Sequence, residues 1–199
     1  MYFIFDAYCR MEKDMSYFNP IPDKNIVLDD ILKWIVDIVA VAMVTVFLII
    51  YLCDTANMTG NSMAPTLNNA ESVLINKFSY EIGEPERFDI IVFKNDDGET
   101  IKRIIGMPGE EIKIEDSKIY IRTSEGEQVL EDVYFEGKYE PGYVSDYVKI
   151  PEGEYFVMGD SRNVSEDSRF EYVGNIKKED IVGEAWMIYS PFNRIGLID

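Results

Sequence analysis

Between Trp34 and Cys53 the chain reads WIVDIVAVAMVTVFLIIYLC, a run of about twenty residues with a single charge, Asp37. As a helix, such a run rises through about 30 Å, the hydrocarbon thickness of a bilayer. Trp34 and Tyr51 stand near its ends, where amphipathic rings favour the headgroup level. Asp37 falls in the first turn, within reach of water and facing a favourable helix dipole. The run starts well inside the chain, outlasts the apolar part of a signal peptide and has no small-residue cleavage site directly after it, so it is expected to be an uncleaved anchor. Lys24 and Lys33 precede it, whereas neither Lys nor Arg occurs between Cys53 and Lys77. The bias predicts a single-pass protein of the cell membrane, with residues 1–30 as a cytoplasmic tail, 31–53 as the transmembrane helix and 54–199 as one extracytoplasmic domain.

Nineteen Lys+Arg set against 37 Asp+Glu leave a formal charge of −18, which repels phosphate backbones and argues against nucleic-acid binding. An apolar content of 47% is too high for a disordered chain, so the acidity belongs on a folded surface. Histidine is absent altogether. Its absence excludes Ser-His-Asp triads, Cys-His dyads and nearly every common zinc site, so any hydrolytic chemistry here needs another base. No metal and no cofactor is expected. Cys9 and Cys53 flank the apolar run, and a disulfide between them would have to cross the membrane.

Beyond the anchor, short alternating runs are divided by turn residues: SVLINKF, FDIIVFK, TIKRII, EIKIED, KIYIR, YVKI, EYFVMGD and IVGEAWMIYS. They predict strands, and IKIEDSKIYI predicts a tight hairpin around a short polar turn. The expected fold is therefore mainly β: a compact, barrel-like domain of antiparallel sheet preceded by one transmembrane α-helix. The acidic, weakly periodic stretch 123–147 is the natural place for a surface excursion.

Three segments carry more polar and backbone-permissive residues than strands and turns require. In Gly60-Asn61-Ser62-Met63-Ala64-Pro65-Thr66-Leu67, just past the membrane run, Gly60 permits close backbone approach and Pro65 fixes φ. Ala64 stands where the G-x-S-x-G nucleophile elbow would need glycine. In Thr100–Gly109, alternation puts Lys102 on the face of Ile104, opposite Ile101, Arg103 and Ile105. A lysine buried there would have a depressed pKa, whereas one at a sheet edge would reach water. The third, Gly159–Arg169, is almost wholly polar and follows the strand EYFVM. Without histidine, a serine hydrolase built from these parts needs something like a Ser-Lys pair.

GNSMAPTL, FDIIVF, IKRIIGMPGE and GDSRNVSEDSR resemble, in order and behind an amino-terminal anchor, the conserved boxes of bacterial type I signal peptidases. The resemblance covers roughly residues 31 to 190. It implies Ser62 as nucleophile, Lys102 as general base, Ser165 as the hydroxyl that orients the lysine amine, and Asp167 with Arg169 as a supporting ion pair. It also implies Met63, and more weakly Ile101 and Ile104, as walls of a pocket for a small substrate side chain. The Ser62 N–H would serve the oxyanion. Gly60 stands where several relatives carry a hydroxyl, so a second donor must come from elsewhere or the enzyme is slower. By the same resemblance the partners are secretory pre-proteins cut after an A-x-A-like site, membrane lipid and a neighbouring secretion translocon.

Overall fold

The structure is a computed structural model that describes residues 24–95, 98–130, 134 and 138–198, without the side chains of 24–27 and 48–53. Most of the expected cytoplasmic tail therefore lies outside the described residues. The chain divides into two compact units, 1–49 and 50–199.

In the described part of the first unit, a helix, α1 (Lys24–Leu52), starts earlier than the apolar run. Its large apolar side chains from Leu28 to Phe47 are exposed, Trp34 being 70% accessible. Thr45 Oγ1 turns back to donate to the Val41 carbonyl at 2.8 Å, so that its hydroxyl is satisfied within the helix. Among the described residues no helix is long and apolar enough to cross a membrane. The expected span of 31–53 ends on residues whose side chains lie outside those described.

The second unit is mainly β, and among the described residues all of its strand pairs are antiparallel. Its larger sheet is built from β1 (Cys53–Asn57), β2 (Ser72–Asn76), β3 (Ile90–Asn95) and β4 (Gly98–Gly106), with β9 (Glu154–Met158), β10 (Ile176–Lys177), β11 (Ile181–Ser190) and β12 (Gly196–Leu197). The strand order is β1-β2-β11-β3-β4-β9-β10, with β12 beside β11. The smaller sheet contains β5 (Glu111–Glu115), β6 (Lys118–Thr123), β7 (Gly126–Leu130) and β8 (Val148–Lys149), in the order β7-β6-β5-β8.

Each of the eight alternating runs contains a strand. In β2, Val73 and Ile75 point inward while their neighbours are half-exposed, the pattern of a sheet with one covered face. The hairpin between β5 and β6 pairs Glu115 with Lys118 across Asp116 and Ser117, both of which have positive φ, as a two-residue type I′ turn requires. Part of the stretch 123–147 joins a sheet: β7 pairs with β6, and Leu130, Tyr139 and Val144 pack into the core of the smaller sheet.

Strand β4 decides the site. It pairs with β3 on one side and β9 on the other, so it has no free edge. From Ile101 to Gly106 every residue is buried. Ile101 packs with Ile90 and Val92, Ile105 with the core of the smaller sheet, and Ile104 with Ile91 and Val157. A lysine in such a strand has no short route to water.

Candidate active site

The loop between β1 and β2 is fixed before any catalytic group is considered. Met58 N–H donates to the Glu71 carbonyl at 2.8 Å and Ala70 N–H to the Met58 carbonyl at 2.9 Å, closing its base. Met63 and Leu67 are both fully buried in the cluster formed with Val73, Ile75 and Ile101. Burial of each is worth about 1.5–3 kcal/mol, enough to hold an otherwise irregular segment down on the sheet. Gly60 has φ of +82°, the left-handed region that favours glycine, and its N–H donates to Asn69 Oδ1 at 2.9 Å. Ser62 is thereby presented, half-buried, beside strand β4.

Lys102 Nζ lies 2.7 Å from Ser62 Oγ and donates to it, across 40 residues of sequence. Lys102 is only 4% exposed. Burial holds its amine below the ordinary 10.5, outweighing the upward pull of Asp167, Glu166 and Asp160, while Arg169 adds to the lowering. Once neutral, the nitrogen offers a lone pair at the same distance to accept the serine proton.

The polar segment after β9 wraps this pair. Ser161 N–H donates to the Ser62 carbonyl at 3.0 Å. Asp167, fully buried, takes Arg169 Nε at 2.8 Å and Nη2 at 3.0 Å, and it also accepts the Gly159 N–H at 3.0 Å. Arg169 further donates to the carbonyls of Arg162, Ser165 and Glu140. Ser165 is buried here too, but its Oγ has no hydrogen-bond partner among the described residues. The lysine contact expected of it is not formed while Lys102 donates to Ser62.

Asp167→Asn is predicted to lower the stability of the chain by about 3–5 kcal/mol, because it leaves the Arg169 charge buried without its counter-ion. Thermal melting of the solubilised protein measures this, and a shift no larger than that of an exposed ion-pair mutant would contradict it.

The three residues expected to line a pocket do not lie together. Met63 and Ile101 share one core cluster, whereas Ile104 belongs to another. Sequence reasoning passed over a second buried ion pair. Arg103 Nε and Nη2 meet Asp160 Oδ1 and Oδ2 at 2.9 and 2.8 Å, and Thr66 Oγ1 donates to the same carboxylate at 2.6 Å. Arg103 also stacks on the Tyr134 ring at 3.6 Å. The signal was an arginine within the apolar run IKRII, a charge that has to be paired once the strand is covered on both faces.

A serine hydroxyl against a buried amine, both held by fixed elements, can carry nucleophilic acyl transfer without histidine. The family described as signal peptidase, peptidase S26, matches residues 31–190. The signal peptidase I of Bacillus licheniformis is 32% identical over 180 residues, spanning 86% of this chain and 95% of the relative. The signal peptidase I S of Bacillus subtilis is 33% identical over 170 residues, spanning 83% and 92%. A solved signal peptidase I from Enterococcus faecalis, 29% identical, covers 51% of this chain and 96% of its own with a TM-score of 0.41. The chain belongs to the signal peptidase S26 family and is a serine endopeptidase of the signal peptidase I kind.

Proposed function

We propose that this chain removes signal peptides from secretory pre-proteins by a Ser-Lys acyl-enzyme mechanism. The observation that carries the reading is the 2.7 Å contact between Lys102 Nζ and Ser62 Oγ inside a buried site. Neutral Lys102 takes the Ser62 proton as the serine oxygen attacks the scissile carbonyl. The tetrahedral intermediate collapses, its leaving amine takes the proton back from Lys102, and the signal peptide stays esterified to Ser62. Water, deprotonated by the same amine, then releases it. Ser165, whose buried hydroxyl lacks a partner while Lys102 donates to Ser62, is suited to receive a lysine N–H as the amine turns toward the substrate. Asp167 and Arg169 hold the segment that carries Ser165. The Ser62 N–H serves the oxyanion, and Gly60 contributes no side-chain donor.

The substrate enters as an extended strand and is cut after an A-x-A-like site, with Met63 and Ile101, which share one core cluster, setting the apolar surroundings of its small residues. Strand β1 is the end strand of the larger sheet, pairing with β2, and it leads directly into the Ser62 loop. We also assign α1 to membrane lipid, with the amino end in the cytoplasm, the β domain on the extracytoplasmic side and the secretion translocon as a neighbour. A helix whose apolar side chains are exposed all round calls for an apolar surrounding. Confinement of enzyme and substrate to one bilayer replaces a three-dimensional search.

Incubation of the solubilised chain with a pre-protein, followed by amino-terminal sequencing of the product, tests the reading. Cleavage is expected after small residues and is lost when the residue preceding the cut is made bulky. The rate rises with pH along an acid limb whose midpoint lies below 10.5, because only the neutral fraction of Lys102 acts as base. A rate independent of pH from mildly acidic to strongly alkaline solution would sink the amine as base.

A further inference from the structure

Thr66, four residues past Ser62 in sequence, is held from two directions. Its hydroxyl donates to Asp160, which is paired with Arg103, the chain neighbour of Lys102. Its carbonyl accepts Arg194 Nη2 at 3.2 Å, from the far end of the chain. The same guanidinium gives Nε to Glu71 Oε1 at 2.8 Å. Glu71 in turn accepts the Asn68 N–H at 2.9 Å and the Asn68 side-chain amide at 3.2 Å. Arg194 sits in the single 3₁₀ turn Phe192–Arg194 that follows β11, and β11 pairs at Ser190 with Ser72, the residue after Glu71. One side chain thus ties the C-terminal turn to both the middle and the base of the Ser62 loop.

We propose that Arg194 is a positioning residue for the Ser62 loop: its fork to Glu71 and the Thr66 carbonyl sets the register in which Ser62 meets Lys102. The proposal rests on the Ser-Lys reading above. Glu71 is 4% exposed, and burial opposes its ionisation, yet the Arg194 and Asn68 donors bring its carboxyl below the usual range. Without the guanidinium this carboxylate would be buried without its counter-ion and would turn toward water, releasing the Asn68 N–H. The loop would keep its backbone closure at Met58 and Ala70, the Ser161 N–H on the Ser62 carbonyl, the buried Met63 and Leu67 and the Thr66–Asp160 bond, but would lose the tie that fixes Glu71 and the Thr66 carbonyl and with it the register of the segment between them. Misplacement of a reacting group by about 1 Å can cost up to about 100-fold in rate.

The experiment compares wild type with Arg194→Gln, Arg194→Lys and Glu71→Gln in pre-protein cleavage by the full solubilised chain. Arg122→Gln, at an exposed ion pair of the smaller sheet, is the neutral control and Ser62→Ala the inactive one. Arg194→Gln is expected to lower kcat about tenfold or more per folded molecule, with KM within about twofold of wild type. Arg194→Lys regains part of the rate, since an ammonium can pair with Glu71 but lacks the fork that also reaches Thr66. Glu71→Gln lowers kcat less, because its amide oxygen still accepts the Asn68 N–H. Wild-type kcat in Arg194→Gln, or a kcat that falls only in proportion to the folded fraction, overturns the proposal. Should Arg194→Gln not fold, Glu71→Gln decides: kcat lowered severalfold with KM intact supports the proposal, and a wild-type kcat overturns it. Cleavage by Ser62→Ala would instead defeat the Ser-Lys reading itself.

Discussion

Lys102→Met is expected to yield a folded chain that cuts pre-proteins at least about 10⁴-fold more slowly than wild type, because general base and nucleophile act as one unit. Ser62→Ala should match it, and the double variant should be no worse than either, which is the signature of a coupled pair. The same substitution should raise the melting temperature at neutral pH. The folded amine has its pKa below the unfolded 10.5, so the unfolded chain binds the extra proton between those two values. Stability of the wild type therefore rises with pH through that window, and the advantage of methionine shrinks as pH approaches 10.5. Thermal melts of both proteins across a pH series check the sign. A melting difference that grows toward alkaline pH would mean that Lys102 gains, rather than loses, affinity for its proton on folding.

Gly159→Ala should be the second most damaging change, although it alters no reactive group. A Cβ at this position would stand 2.3 Å from Ser165 Oγ and 2.4 Å from the Ser62 carbonyl oxygen. Rotating the hydroxyl relieves the first contact alone, since the Ser165 Cβ is itself only 2.6 Å away and the second contact is backbone. Something in the site has to move. Overpacking of this kind costs about 1–3 kcal/mol of stability. The catalytic loss should be larger, about 100-fold or more, because the displaced atoms belong to the nucleophilic residue and to Ser165, the hydroxyl proposed to receive a lysine N–H. Steady-state cleavage below the melting temperature of the variant separates the two effects. Wild-type kcat in a folded Gly159→Ala protein would show that the site has slack the packing does not reveal.

Much of the architecture was legible because the signals behind it are local. Period-2 alternation marked eight of the twelve strands among the described residues, and a two-residue polar break marked the hairpin at Asp116 and Ser117. What alternation missed was short or polar. CDTAN, which forms β1, has no apolar stripe and abuts the apolar run; GEQVL, which forms β7 inside the expected surface excursion, is exposed over its first four residues; β10 and β12 are two residues each. They are strands because a neighbouring strand supplies the ladder, which a single segment cannot disclose.

By its residue types alone, the sequence determined which chemistry was possible: no histidine, a serine in a constrained loop, a lysine in an apolar run and four boxes in order. Propensity and alternation also determined that the scaffold is β. Only the tertiary structure decided that Lys102 is buried, since that follows from β4 being enclosed by β3 and β9 rather than lying at an edge. The tertiary structure alone also decided that its nitrogen meets Ser62 at 2.7 Å, and that Arg103 and Arg194 grip the same loop through partners 57 and 123 residues distant. Such contacts are set by how whole sheets and their connections pack, and a pairing of charges across that distance leaves no periodic trace in the chain.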